Sequence, residues 1–433
     1  MYKNIFFFLF FTSFFAACTV TPQIKTEDKI SPSEKVFAEE DMYIMVALYA
    51  EEVNDRKTAA DFFEKLYAKS QKKEYLYRSL ENNLIAKKNQ KVIDRVDKLT
   101  KGSLNDYHLI RLKVVALVES FRIFEARELE LKLLALTKAE EDYLLMANIY
   151  IQQQEYTLAL QYLESAYSKN HNEKILDKIA VILYSNLQNT KEAIAQLQTH
   201  SRTYGCSTLI CNRLLGIYSN ENNLDGLLST YKKLYVLNQD NASAKKIVQI
   251  YTYKKDYKNL VIFLEKSGTD DDILLQLYAS KKEYKKAEKL ADTLFKEKGT
   301  AHYLGQSAIY EYEANSNNHT PKVLKSVISK LQRVIEMKRT PLYLNYLGYI
   351  LIDHDLDVKG GMLYIKEVLT LRPDSAFYLD SLAWGYYKQG QCKKAKKLMN
   401  RIVTLKGGDD PEVLKHVKQI NKCLKTKKGK SKK

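Results

Sequence analysis

The sequence predicts an all-α protein built as a solenoid of helical hairpins, and three observations carry that reading. The 433 residues include only six Pro and fifteen Gly, too few turn residues for a many-stranded chain. Large residues recur at a fixed interval: positions 117, 150, 184, 218 and 251 lie 33, 34, 34 and 33 residues apart. A period of that size marks an array of helical repeats. The third observation is a second set of residues that follows the first at constant offsets. Leu117 is followed by Ala126, Glu130 and Leu133, and Tyr150 by Ala159, Leu163 and Ala166. Tyr218 precedes Leu227, Tyr231 and Leu234; Tyr251 precedes Leu260, Leu264 and Ser267; Tyr278 precedes Ala287, Ala291 and Leu294. Steps of four and three keep each second set on one helix face. Small residues at a helix crossing let two backbones approach, and large ones fill the space on either side.

The elements follow in chain order. Lys3 opens a short positive segment, and residues 5–17 are apolar and Phe-rich except for Thr12 and Ser13. This run is shorter than the roughly 20 residues a membrane-spanning helix needs, and suits the hydrophobic region of a secretory leader. The run ends in SFFAACTV, residues 13–20. Ala16, Ala17 and Cys18 resemble the lipobox of bacterial lipoproteins, with Phe15 where Leu is usual. The resemblance implies cleavage after residue 17 and a lipid on the Cys18 sulfur. Acyl chains there would hold the mature chain to a membrane surface. Thr19 in place of Asp implies the outer membrane, on its periplasmic side. Residues 18–40 carry Pro22, Pro32, Ser and charges without periodicity, and are expected to form a flexible tether.

Residues 41–424 are expected to hold the repeats, although length alone suggests about three domains. Tyr49 is read as the first landmark, one residue out of step with Ala59, Phe63 and Leu66. The spacing is irregular at 74–100 and 300–338. In the second stretch a loop at Asn315–Asn318 precedes Thr320-Pro321, which opens a new helix. The clearest pair is 343–403, with Leu347-Gly348 and Leu382-Ala383 as large-small pairs and Pro373 between the units. These landmarks resemble the tetratricopeptide (TPR) repeat, and LDSLAWGYYKQG is similar to bacterial TPR lipoproteins and periplasmic TPR proteins. The resemblance covers nearly all of the mature chain. It implies ten or eleven hairpins stacked in a right-handed superhelix. A last helix starts at Asp410-Pro411-Glu412, where an N-cap, a first-turn Pro and a dipole-matched acid coincide. It is expected to cap the end of the array. Residues 425–433 are expected to be a disordered basic tail.

Net charge is +17, of which residues 421–433 contribute +7. Anionic lipid, peptidoglycan or an acidic protein are the partners such charge suits in an exported chain; nucleic acid is not expected. Besides Cys18 there are four cysteines, and bridges Cys206–Cys211 and Cys392–Cys423 are expected in an oxidising compartment. No HExxH, GxSxG or phosphate-loop motif occurs. Asp353, His354, Asp355 and Asp357 offer a metal-like cluster, but they fall on a turn and read as turn-capping residues. TDDD, 269–272, reads as an N-cap in the same way. No catalytic residue, metal or cofactor is therefore expected.

What can be singled out is a surface. The positions that line the concave groove in TPR proteins fall here on Asn345, Tyr349 and Asp353, then Asp380, Trp384 and Tyr387. Aromatic rings among polar groups suit a peptide or a partner helix. Packing of Trp384, the only Trp, against the next helix is the alternative. The expected function is a non-catalytic scaffold for other envelope proteins, anchored by its lipid. The runner-up is a bridging protein whose basic tail grips peptidoglycan or anionic lipid.

Overall fold

The computed structural model describes the backbone of residues 36–430 and the side chains of residues 36–425. The leader, Cys18 and most of the expected tether lie outside the described residues, as do residues 431–433. By internal packing the chain divides into two units, Met1–Ile217 and Tyr218–Lys433. Among the described residues there are helices and turns and no strand.

The first unit holds five hairpins. They are α1 (Glu40–Glu52) with α2 (Arg56–Ser70), α3 (Lys73–Ile85) with α4 (Asn89–Thr100), and α5 (Tyr107–Glu119) with α6 (Ile123–Thr137). Next come α7 (Glu140–Gln152) with α8 (Tyr156–Asn170), and α9 (Glu173–Val181) with α10 (Thr190–Tyr204). A single π-helical turn, Ile182–Asn186, extends α9 and carries the landmark Tyr184. The division between units falls inside α11 (Thr208–Asn220).

The second unit continues with α12 (Leu224–Asn238), then α13 (Asn241–Tyr253) with α14 (Tyr257–Ser267), and α15 (Asp271–Ser280) with α16 (Tyr284–Lys298). It closes with α17 (Ala301–Ala314) and α18 (Pro321–Met337), α19 (Pro341–Asp353) and α20 (Val358–Leu371), and α21 (Ala376–Lys388) and α22 (Cys392–Ile402). The last helix is α23 (Pro411–Lys430).

The hairpins keep the repeat spacing at its landmarks. Leu117, Tyr150, Tyr218, Tyr251 and Tyr278 are all buried, as are Ala126, Ala159, Leu260 and Ala287 on the partner helices. About half of the helices begin on a side chain that accepts a hydrogen bond from an otherwise orphaned N–H. Asp55 accepts from Thr58 at 3.1 Å, Asp240 from Ser243 at 2.7 Å, and Asp270 from Ile273 at 3.0 Å. Each such cap contributes about 1 kcal/mol. The turn inside most hairpins also has a fixed geometry. Asn54, Lys87, Phe121, Gln154 and Gln188 in the first unit, and Asn222 and Lys255 in the second, all have positive φ. The repeat imposes a left-handed residue there whatever the side chain, although the conformation disfavours residues with a Cβ.

Glycine is required where α19 crosses α20. A Cβ on Gly348 would lie 2.8 Å from the Gly361 carbonyl oxygen, and one on Gly361 would lie 2.6 Å from the Gly348 oxygen. Gly361 is thus a packing residue, as its small-residue position implied.

Four expectations change. The first landmark is Ala50, buried, which stands in register with Ala59; Tyr49 is 65% exposed. Residues 74–100 form two regular helices. Their pattern is hidden because α3 buries the polar residues Ser79, Asn82 and Asn83, which donate to the Ala60 carbonyl at 2.9 Å, to Glu51 at 2.6 Å and to the Ser79 carbonyl at 2.9 Å respectively. The expected tether reaches too far, because Val36–Glu39 already fold onto α1. The Val36 N–H donates to Glu40 Oε2 at 2.7 Å, and the Phe37 ring meets Tyr43 edge-on. Finally, α23 does not stop at 424 before a disordered tail; its backbone stays helical to Lys430. No helix among the described residues is long and apolar enough to cross a membrane.

Candidate functional site

The site lies in the second unit. Pro341 opens α19 and fixes its start. From there Asn345, Tyr349 and Asp353 stand four residues apart, on one face. On α21, Asp380 and Trp384 repeat the same spacing. These two faces, the end of α17 with its following loop, and the first turns of α23 wall a cavity of about 920 Å³. Five of the six residues singled out in the sequence line it: Asn345, Tyr349, Asp353, Asp380 and Trp384. Tyr387 stands outside the lining, stacked on Trp384 with ring centroids 4.6 Å apart.

Trp384 is not a projecting anchor. It is 5% exposed, and its Nε1–H donates to Asp353 Oδ1 at 2.8 Å. One further ring stacks on it, His416 of α23, at 4.0 Å between centroids. The packing alternative therefore describes the ring, while its edge still faces the cavity. Asp353 is further fixed by Lys388, whose Nζ donates to its carbonyl at 2.6 Å and to Asp355 Oδ2 at 2.7 Å. Asp357 caps α20 by accepting from the Gly360 N–H at 2.8 Å. The carboxylates of the metal-like cluster thus have structural partners.

Residues the sequence did not flag complete the cavity. From α17 and its loop come Tyr312, Glu313 and His319; from α23 come Glu412, Lys415 and His416. Tyr312 stacks on His319 at 4.0 Å, and its hydroxyl pairs with His354 Nε2 at 3.0 Å. The Tyr349 hydroxyl donates to Glu412 Oε1 at 2.5 Å. His416 Nδ1 lies 2.8 Å from Asp380 Oδ2, with both side chains buried. The signal for α23 is present in DDPEVLKHV, whose capping residues announce the helix but not its lining role.

The electrostatics are those of a partly dehydrated acidic pocket. Burial pushes Asp380 above the usual carboxylate range; His416 opposes the shift and Glu412 adds to it. Burial also raises Glu313, again with Glu412 adding. Tyr346 is pushed up to about 12 by burial, then by Glu313 and Glu412. Tyr349 is raised further by burial and the neighbouring Asp353 and Glu412. Two acceptor atoms at the cavity have no hydrogen-bond partner, Asp380 Oδ1 and Asn345 Oδ1. Such atoms are uncommon in folded proteins, because each loses water without replacement.

The four other cysteines are bridged. Cys206 joins Cys211 across a Cα separation of 5.5 Å, and Cys392 joins Cys423 across 6.2 Å. Both separations fall in the range a disulfide spans. The second bridge ties α22 to α23, and so supports the helix that closes the cavity.

No family model matches this sequence, and no curated protein matches it. Solved structures resemble its backbone. A structure of the APC/C hetero-tetramer Cut9–Hcn1 aligns over 90% of this chain and 91% of that one, at 13% identity and a TM-score of 0.35. The TPR domain of P58(IPK) aligns over 90% and 99%, at 13% identity and a TM-score of 0.26. MamA, from residue 41 to the end, of Desulfovibrio magneticus RS-1 aligns over 38% and 94%, at 12% identity and 0.31. At these values the likenesses add nothing to what the helices of this chain show by themselves.

Proposed function

We propose that this protein is a non-catalytic scaffold that holds other polypeptides in the cavity of its second unit. The observation that carries this is the cavity itself, walled by the groove-facing side of α19 and α21. Its lining mixes rings with hydrogen-bonding groups, the composition of a recognition surface. We further propose that the chain is lipid-anchored through Cys18 to the periplasmic face of a bacterial outer membrane, and that its partners are envelope proteins. The support is the stretch SFFAACTV with Thr19 after the cysteine.

Cross-linking in intact cells, followed by mass spectrometry, tests both parts. The parent is compared with Cys18→Ala and with Asn345→Leu, which alters the cavity without touching the Asp380–His416 pair. A defined set of envelope proteins lost with either change supports the scaffold. Capture indifferent to both changes overturns it. Membrane fractionation of Cys18→Ala reads the anchor separately, and retention of the variant in the membrane pellet overturns that part.

A further inference from the structure

The cavity is specific about charge. Four carboxylates line it, Glu313, Asp353, Asp380 and Glu412, against two cationic residues, Arg372 and Lys415; both cations and Glu412 are solvent-exposed. Two of the four are half-engaged from within: Asp353 Oδ1 by the Trp384 indole and Glu412 Oε1 by the Tyr349 hydroxyl. Asp380 is 5% exposed, holds His416 through one oxygen, and leaves the other without a partner. Asn345, on the opposite helix, likewise leaves its carbonyl oxygen unmatched. Two buried acceptors in the cavity lining thus go without a donor. A group with several N–H donors and no acceptor answers that deficit, and an ammonium is such a group. The rings of Tyr346 and Tyr349 and the edge of Trp384 add apolar wall for an alkyl stem.

We propose that the cavity between α19, α21 and α23 receives the ammonium of a lysine side chain from a partner polypeptide. A guanidinium fits less well. Its fork engages both oxygens of one carboxylate, and at Asp380 one of them is already taken by His416. A polypeptide is favoured over a free amine by the rim. Leu342 and Phe377 stand there 44% and 53% exposed, apolar surface that residues flanking the lysine can cover. The inference rests on the scaffold reading for the source of the lysine, and on the lining alone for the ammonium.

The test uses the full chain and its only tryptophan. Trp384 borders the cavity, so its fluorescence reports occupancy. The probes are Nα-acetyl-lysine N-methylamide, its neutral analogue without the amino group, Nα-acetyl-norleucine N-methylamide, and cadaverine. The lysine amide should give a saturable change, with the norleucine amide weaker by about tenfold or more, as a loss of about 1.4 kcal/mol requires. Asp380→Asn should weaken the lysine amide by a similar factor. Because Asp380 is buried against His416, that variant can misfold; Asn345→Leu, with circular dichroism matching the parent, is the second reading and should also weaken binding. Equal affinity for the lysine and norleucine amides overturns the proposal, as does no saturable response to any probe. Binding of cadaverine without the lysine amide overturns the polypeptide source. Cross-linking that captures no protein, beside a lysine probe that binds, sinks the scaffold reading and leaves the ammonium site standing. The opposite pair of results sinks only the site.

Discussion

The imidazole of His416 lies flat against the indole of Trp384, ring centroids 4.0 Å apart, while its Nδ1 reaches Asp380 Oδ2 at 2.8 Å. One side chain of the last helix thus completes both the aromatic and the acidic wall of the cavity. His416→Ala removes the stacked ring and leaves the buried Asp380 carboxyl with no partner on either oxygen. The variant should lose about 2 kcal/mol of stability in denaturant unfolding. Hydrogen exchange should quicken first in residues 411–424. Unchanged exchange there would show that α23 is held without the histidine.

The Cys392–Cys423 bridge closes a segment of 31 residues and ties α22 to α23. Chain-entropy arithmetic for that length gives about 3–4 kcal/mol. Cys423→Ser should cost a comparable amount, and should also broaden Trp384 fluorescence toward that of a solvent-exposed indole as α23 loosens. A variant as stable as the parent, with unmoved emission, would show that packing alone fixes the helix.

Glu130 of α6 occupies a landmark position that the repeat reserves for packing. It is wholly buried, and neither carboxyl oxygen has a hydrogen-bond partner. Burial, with nearby Asp142 adding to it, pushes its pKa up from 4.5 to about 9. The folded state therefore keeps a proton that the unfolded state releases. Stability should fall as pH rises from about 4.5 toward 9, with a slope of up to about 1.4 kcal/mol per pH unit from this group. Glu130→Gln removes the titration. Its advantage over the parent should be near zero at acid pH and grow through neutrality. Parallel stability curves for the two proteins would show that Glu130 does not titrate in this way.

Gly348 and Gly361 meet backbone to backbone at the α19–α20 crossing. Gly348→Ala places a methyl 2.8 Å from a carbonyl oxygen that cannot swing aside. Overpacking of this kind costs about 1–3 kcal/mol, against the small gain alanine brings to a helix interior. Thermal unfolding should show net loss; a rise in midpoint would mean that the two helices part easily.

Much of the fold was legible because one interaction repeats. Most hairpins bury a residue near the end of the first helix and several of those nine, thirteen and sixteen further on, so the period survives wide substitution between them. The exceptions have physical causes. Around 74–100 the buried face of α3 includes the hydrogen-bonded polar residues Ser79, Asn82 and Asn83, which apolar patterning cannot register. At Tyr49 a large ring drew the landmark away from its small neighbour Ala50, although the repeat asks only that the backbones approach. The left-handed turn residues escaped notice because Lys, Gln and Phe hold a conformation usually signalled by Gly or Asn.

The sequence by itself determined the all-helical architecture, the hairpin period, the caps, and the inward face of α19 and α21. Those follow from local spacing, which one helix reads along its own length. Tertiary structure alone decided that α23 folds onto that face, that Trp384 is buried between Tyr387 and His416, and that Asp380 and Asn345 each leave an acceptor unmet. The pairings of His416 with Asp380 and Trp384 join residues more than thirty positions apart, and only the packing of whole helices brings them into contact.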